Sequence, residues 1–330
     1  MVGLSHVALR LVMQSYLPKN AVVPWPTEML NSRRLPNEKV GFTNETFRGE
    51  NEEFLMPQIL GNDEACIKES IHRLEKWGAR GIDINMGCPV QKALKHNYGV
   101  ALMGDAQYAS DVVRMATRST SLPVSVKLRA AGTDGDFSKL YDFVSGLRAG
   151  GASWVCLHPR TAAQKRRGSA DWNQIRDLKL KVDFPVVGNG DVQTSSDAHE
   201  MISQTNCDLV MSGRGLAARP WMFWQMGEDL GWEMPQHLQS LEAPRTPTAE
   251  GAEYGRALLQ LIDLCEKYFN QDMAIRKIRF YIRTTSVWLL FGHALISVST
   301  KAKNLQELKL GVAEFFKTPQ EMTGWTELRQ

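Results

Sequence analysis

Hydrophobic positions in the first two thirds of the chain alternate between short β-rich runs and stretches with helical period. The runs are Ala21–Thr27, Phe54–Gln58, Gly81–Asn85, Pro123–Leu128, Ser153–His158, Pro185–Asn189 and Asp208–Ser212. Between Gln58 and Gly81, the segment Asp63–Trp77 places Ile67, Ile71 and Leu74 on one helical face. Asn62 or Asp63 can cap its start, and Gly78 can stop it. A strand, a helix and a strand in succession imply parallel pairing. After Arg214 the pattern changes. Trp221–Trp232 is rich in Trp and Met, 234–247 has linker composition, and 248–330 is helical in period, with packed-helix spacing in Ala257–Leu264 and Leu305–Leu310.

This pattern predicts an α/β chain, a TIM (β/α)8 barrel over 1–233 followed by a small all-α C-terminal domain over 248–330. Seven runs are one short of the barrel's eight, so the first strand is expected to be truncated at the N-terminus, with the native chain starting upstream of Met1.

At 330 residues the chain is long enough for such a barrel and an accessory domain. The longest apolar run, Val287–Ile296, is broken by Gly292 and His293 and falls short of the roughly 20 residues that span a bilayer. No secretory n-region and h-region precede it, which reads as a cytoplasmic protein without a membrane role. The five cysteines are scattered with no C-x-x-C pair, against a metal site or a disulfide framework. A net charge of +3 is too small to imply nucleic-acid binding by itself, so local clustering has to carry that inference.

One cluster is in the tail. Between Gln271 and Leu310 stand seven Lys or Arg against two acids, and Arg276, Arg279 and Arg283 recur on one helical face beside Lys277. Such a face is commonly just solvated, or it contacts phosphates. Lys165–Arg167 forms a second basic group.

Candidate chemistry falls at strand ends, where this barrel class collects it. Gln58, Asn85 with Cys88, Lys127 with Arg129, His158 with Arg160, Asn189-Gly190-Asp191 and Gly213-Arg214-Gly215 close successive strands. Glycines that let backbone N–H groups approach an oxyanion, with Arg214 as a charged fork, suit a phosphorylated cofactor. Asn-Gly alone can simply make a turn, Lys127 can be a surface lysine, His158 a satisfied core histidine and Cys88 a small buried hydrophobe.

Gly81-Ile-Asp-Ile-Asn-Met-Gly-Cys-Pro-Val90 resembles the D-I-N-x-G-C-P signature of the tRNA-dihydrouridine synthases. The likeness extends from Met1 to about Arg214. Met1-Val2-Gly3 resembles the family's A-P-M-x-G-type turn, and Thr27-Glu28-Met29 its T-E-M turn. Gln58–Gly61, Lys127–Arg129 and His158–Gln164 with Gly168–Trp172 resemble further family blocks. The resemblance implies an enzyme that reduces specific tRNA uridines to 5,6-dihydrouridine, with FMN as cofactor and NADPH (or NADH) as reductant.

It implies FMN held by Met1, Val2, Gly3, Gln58, Lys127, His158, Asn189, Gly190, Asp191, Gly213 and Arg214. Hydride would pass from the flavin to uracil C6, and Cys88 would act as catalytic acid on C5. A thiol with an ordinary pKa of about 8.5 is protonated near neutral pH. Asn85, Lys92 and Arg129 are implied near the base, and Arg276, Lys277, Arg279 and Arg283 on the tRNA. No metal is implied, and a monomer is the default. The competing readings are an FMN barrel acting on a small molecule, of dihydroorotate or old-yellow-enzyme type, and a tRNA-binding folding chaperone with a decayed flavin site.

Overall fold

The structure, a computed structural model, describes residues 1–50, 52–130, 137–165 and 167–327, with the side chain of Lys92 outside the described set. Seven strands form one parallel sheet: β2 (Leu30–Asn31), β4 (Gln58–Leu60), β5 (Ile82–Met86), β6 (Val124–Arg129), β7 (Trp154–His158), β8 (Val186–Asn189) and β9 (Leu209–Met211), paired in that order. A two-stranded ladder of β1 (Trp25–Pro26) and β3 (Leu55–Met56) continues one edge. The expected strand Ala21–Thr27 is therefore displaced, because regular pairing begins at Trp25 and resumes at Leu30. Pro26 and Pro57 lack the N–H that a continuous ladder needs, so the edge strand and its inner neighbour are both split. The other five strands lie within a residue of their expected limits.

Helices alternate with these strands: α1 (Val7–Gln14), α2 (Glu64–Trp77), α3 (Gln91–Lys95), α4 (Ala106–Thr117), α5 (Phe137–Ala149), α6 (Trp172–Lys181), α7 (Ser195–Thr205), α8 (Arg214–Ala218) and α9 (Met222–Asp229). Asp63 caps α2, its side chain accepting from Cys66 N–H at 2.9 Å, and Gly78 ends it in a left-handed conformation. The tail folds as α10 (Pro247–Tyr268), α11 (Gln271–Thr285), α12 (Gly292–Lys301) and α13 (Leu305–Phe315).

The strand alternation sorts the sheet into two faces. Ile82, Ile84 and Met86 stand opposite Val124, Val126 and Leu128, and this face packs under the helices as one apolar cluster. The other face carries Gln58 opposite Asp83, Asp83 opposite Ser125, Asn85 opposite Lys127 and Arg129 opposite His158. Its polar groups rise toward the C-terminal ends of the strands. A second apolar cluster joins α1 to α8, α9 and the tail helices, so the N-terminal helix packs with the tail. Met1 lies at the end of β9, where a Cβ on Gly213 would come within 3.1 Å of its Sδ.

Candidate active site

On the inner face, hydrogen bonds link neighbouring strands. Gln58 Nε2 donates to Asp83 Oδ2 at 2.6 Å, and Ser125 Oγ donates to Asp83 Oδ1 at 2.5 Å. Burial pushes the Asp83 carboxyl up to about 6, against the pull of Gln58, Ser125 and Lys127. Asn85 Nδ2 donates to Gln58 Oε1 at 2.8 Å and faces Met29 Sδ at 3.4 Å. Its Oδ1 accepts from the N–H groups of Gly87 (3.1 Å) and Cys88 (2.9 Å).

Cys88 is buried just beyond β5. Asn85 holds its amide from below, and the Val100 N–H holds its carbonyl at 3.1 Å. Gly99 passes so close that a Cβ there would lie 2.6 Å from the Cys88 oxygen, and its φ of +65° belongs to the left-handed region. Cys156, by contrast, is deep in the sheet, where burial raises its thiol to about 11. That is the environment of a packing residue.

Cations gather around the ends of β6 to β8. Lys127 Nζ donates to Asn189 Oδ1 at 2.9 Å, and Asn189 Nδ2 donates to the Met211 carbonyl at 2.6 Å, tying β8 to β9. Arg160 lies 2.7 Å from Asp191 and 3.3 Å from His158 Nε2. Burial, with Lys127, Arg129, Arg160 and Arg214 close by, lowers His158 to about 2. A neutral imidazole stands amid four cations, of which Arg160 is paired with Asp191. Gly190 is packed under it, since a Cβ there would meet His158 Cδ2 at 2.9 Å and Ala170 Cβ at 2.7 Å, at a φ of +122°. Arg129 ties this pocket to the cysteine loop, with Nε donating to the Gly87 carbonyl at 2.9 Å and Nη1 to the Lys165 carbonyl at 3.0 Å.

The remaining sequence candidates are more dispersed. Met1 and Val2 are exposed, and a Cβ on Gly3 would strike the Phe280 ring of α11. Lys277 is buried in an ion pair with Glu28 at 3.2 Å, its ammonium 5.0 Å from the Phe269 ring centre. Arg279 donates to the carbonyls of Ser299 and Ala302 at the end of α12, which spends it on a helix terminus. Arg276 and Arg283 are exposed on α11. Lys92 is the second residue of α3, and its side chain, like all of Arg166, lies outside the described residues. Sequence reasoning did not single out Asp83, Ser125 or Glu28. For the first two the signal was present, because they share the period-two face of Asn85 and Lys127. Nothing local pointed Glu28 toward residue 277.

A parallel α/β barrel sheet with a cationic pocket and a buried cysteine at its strand ends defines an enzyme-like scaffold of the TIM class. The profile of the family described as "Dihydrouridine synthase (Dus)" matches residues 1–287, and the chain belongs to that family. A "Probable tRNA-dihydrouridine synthase" of Mycobacterium tuberculosis is 38% identical over 215 residues, covering 64% of this chain and 51% of the relative. The "tRNA-dihydrouridine synthase B" of Pseudomonas aeruginosa is 30% identical over 225 residues, 68% of this chain and 64% of that protein. The matched regions thus span about half to two thirds of these relatives' lengths. Among solved structures, histamine dehydrogenase from Rhizobium sp. 4-9 superposes with a TM-score of 0.50 at 11% identity, over 79% of this chain and 46% of that one, a likeness of fold.

Among the described residues, no helix is long and apolar enough to cross a membrane, and no group of His, Cys, Asp and Glu is placed to hold a metal.

Proposed function

We propose that this chain reduces uridine bases of tRNA to 5,6-dihydrouridine, using FMN with NADPH or NADH as reductant. The observation that carries this reading is the joining of the Cys88 loop to the four-cation pocket around His158 through Arg129. The pocket fits a flavin phosphate: Lys127, Arg160 and Arg214 supply positive charge, and the close packing at Gly190 leaves no room for a larger residue. Family membership and a fold shared with a larger dehydrogenase agree with it.

In this reading Lys127, His158, Asn189, Gly190 and Arg214 hold the cofactor, with Gln58 at its edge. Bound FMN would supply the hydride delivered to uracil C6. Cys88 donates the proton to C5, so one hydride and one proton saturate the C5–C6 bond. The neutral His158 donates or accepts a hydrogen bond without adding charge. Cys88 is buried, so a stacked base has to be turned out of the RNA to reach it. As functional units we assign 1–233 to chemistry, 248–330 to tRNA and 234–247 to the connection between them. We assign the exposed Arg276 and Arg283 as phosphate contacts of the tail.

The test is nucleotide-resolved mass spectrometry of unmodified tRNA incubated with the flavin-loaded protein and NADPH. Wild type is expected to form dihydrouridine, and Cys88→Ala to lose activity by about 10²-fold or more while still binding tRNA. If the flavin-loaded wild type leaves tRNA unchanged but oxidises NADPH with a small acceptor, the small-molecule oxidoreductase takes its place.

A further inference from the structure

We propose that Asp83 is a positioning residue that sets the direction of a hydrogen-bond relay, Ser125–Asp83–Gln58–Asn85, ending on the backbone of the Cys88 loop. It deepens the proposed function, because it explains how the acid of that reaction is held. Primary amides such as Gln58 and Asn85 can each be turned end for end, so something must choose their orientation. An ionised carboxylate only accepts. Facing Asp83 Oδ2 at 2.6 Å, Gln58 has to present Nε2, which leaves Oε1 toward Asn85. Asn85 therefore presents Nδ2 to Gln58 at 2.8 Å, and its Oδ1 points to the loop.

There it meets the N–H groups of Gly87 and Cys88, which only donate. The acceptor end and the donor end agree, and every link lies on the inner face of β4, β5 and β6. Ser125 completes the lower end by donating to Asp83 Oδ1 at 2.5 Å. The buried carboxylate thus acts on Cys88 through two amides without touching the thiol.

The relay predicts which substitutions matter. In Asp83→Asn, the new amide can offer its oxygen to Gln58 and its N–H to the Ser125 hydroxyl, so the direction survives. Asp83→Leu and Gln58→Met remove a link at similar volume. Residue-resolved amide hydrogen exchange on the full chain, without tRNA, reads the outcome at Gly87 and Cys88, with the helix Ala106–Thr117 as internal reference.

Gln58→Met and Asp83→Leu should speed exchange at those two amides by about tenfold or more, with the reference helix unchanged. Asp83→Asn should stay near wild type. Unchanged exchange in Gln58→Met, or equal loosening in Asp83→Asn and Asp83→Leu, overturns the proposal. Should the apolar variants not fold, the wild type decides alone. A through-hydrogen-bond NMR coupling from Asn85 Nδ2 to the Gln58 carbonyl supports the relay, and its absence or the reverse coupling overturns it. Because neither readout uses tRNA, a failed tRNA assay with an intact relay counts against the proposed function and leaves the relay standing.

Discussion

At the scale of single residues, the site works through what burial does to ionisable groups. His158 sits among cations with its pKa lowered to about 2 from 6.5, so the fold holds the imidazole neutral. Because the folded value is depressed, its contribution to stability is fully present above pH 6.5. It is lost as pH falls from 6.5 toward about 2, where the unfolded chain takes up a proton that the folded one refuses. His6, also buried and lowered, adds to the same acid sensitivity. Asp83 has the opposite sign, since its raised pKa makes protonation near pH 6 favour the folded state. We therefore expect His158→Gln to lose less Tm than wild type between about pH 7.5 and 5, as read by thermal melts. An equal drop in both proteins would mean that His158 is not buried in neutral form.

At the scale of elements, the loops after the strands carry the geometry. Gly190 follows β8 with φ +122°, and any Cβ would press on His158 and Ala170. Gly190→Ala is expected to cost more than about 1 kcal/mol and to release flavin, seen as a lower Tm with loss of flavin absorbance in the purified protein. Retained flavin with unchanged Tm would count against the tight fit. Helix α2 makes a contrasting case, because its cap is local. Asp63→Ala should lower the urea-unfolding midpoint without touching the pocket. This cap and the Gly78 stop were both legible in the sequence, since capping depends on residues within one turn. The split of the first two strands at Pro26 and Pro57 was not foreseen in the run boundaries, although the missing N–H was there to read.

At the scale of the whole molecule, the barrel and tail are joined by a buried ion pair between residues 249 positions apart, Glu28 and Lys277. Removing one member leaves a buried charge, so Lys277→Met should cost about 3–5 kcal/mol, while Glu28→Gln with Lys277→Met should recover most of it in urea titrations. A double variant as unstable as the single one would show that the lysine acts by packing alone. The α11 face tells another part. Arg276 and Arg283 are exposed, Arg279 is half-buried against the end of α12, and Lys277 is buried against Glu28. Replacing Arg276 and Arg283 with Gln should weaken tRNA binding and lower the salt slope by about 1 per lost contact, measured by filter binding over a salt series. Arg279→Gln should change stability more than the slope.

The sequence by itself determined the parallel α/β core, the helical tail and the strand-end positions of the polar candidates, because side-chain period and capping are local properties of the chain. It also carried the family signature around Cys88. Only the tertiary structure decided which of those polar groups meet. The direction of the Gln58–Asn85 amides, the neutral state of His158 and the separate fates of four basic residues on one helix all depend on neighbours brought from other strands and helices. Burial and charge at those meeting points come from the whole fold, and no window of sequence contains them.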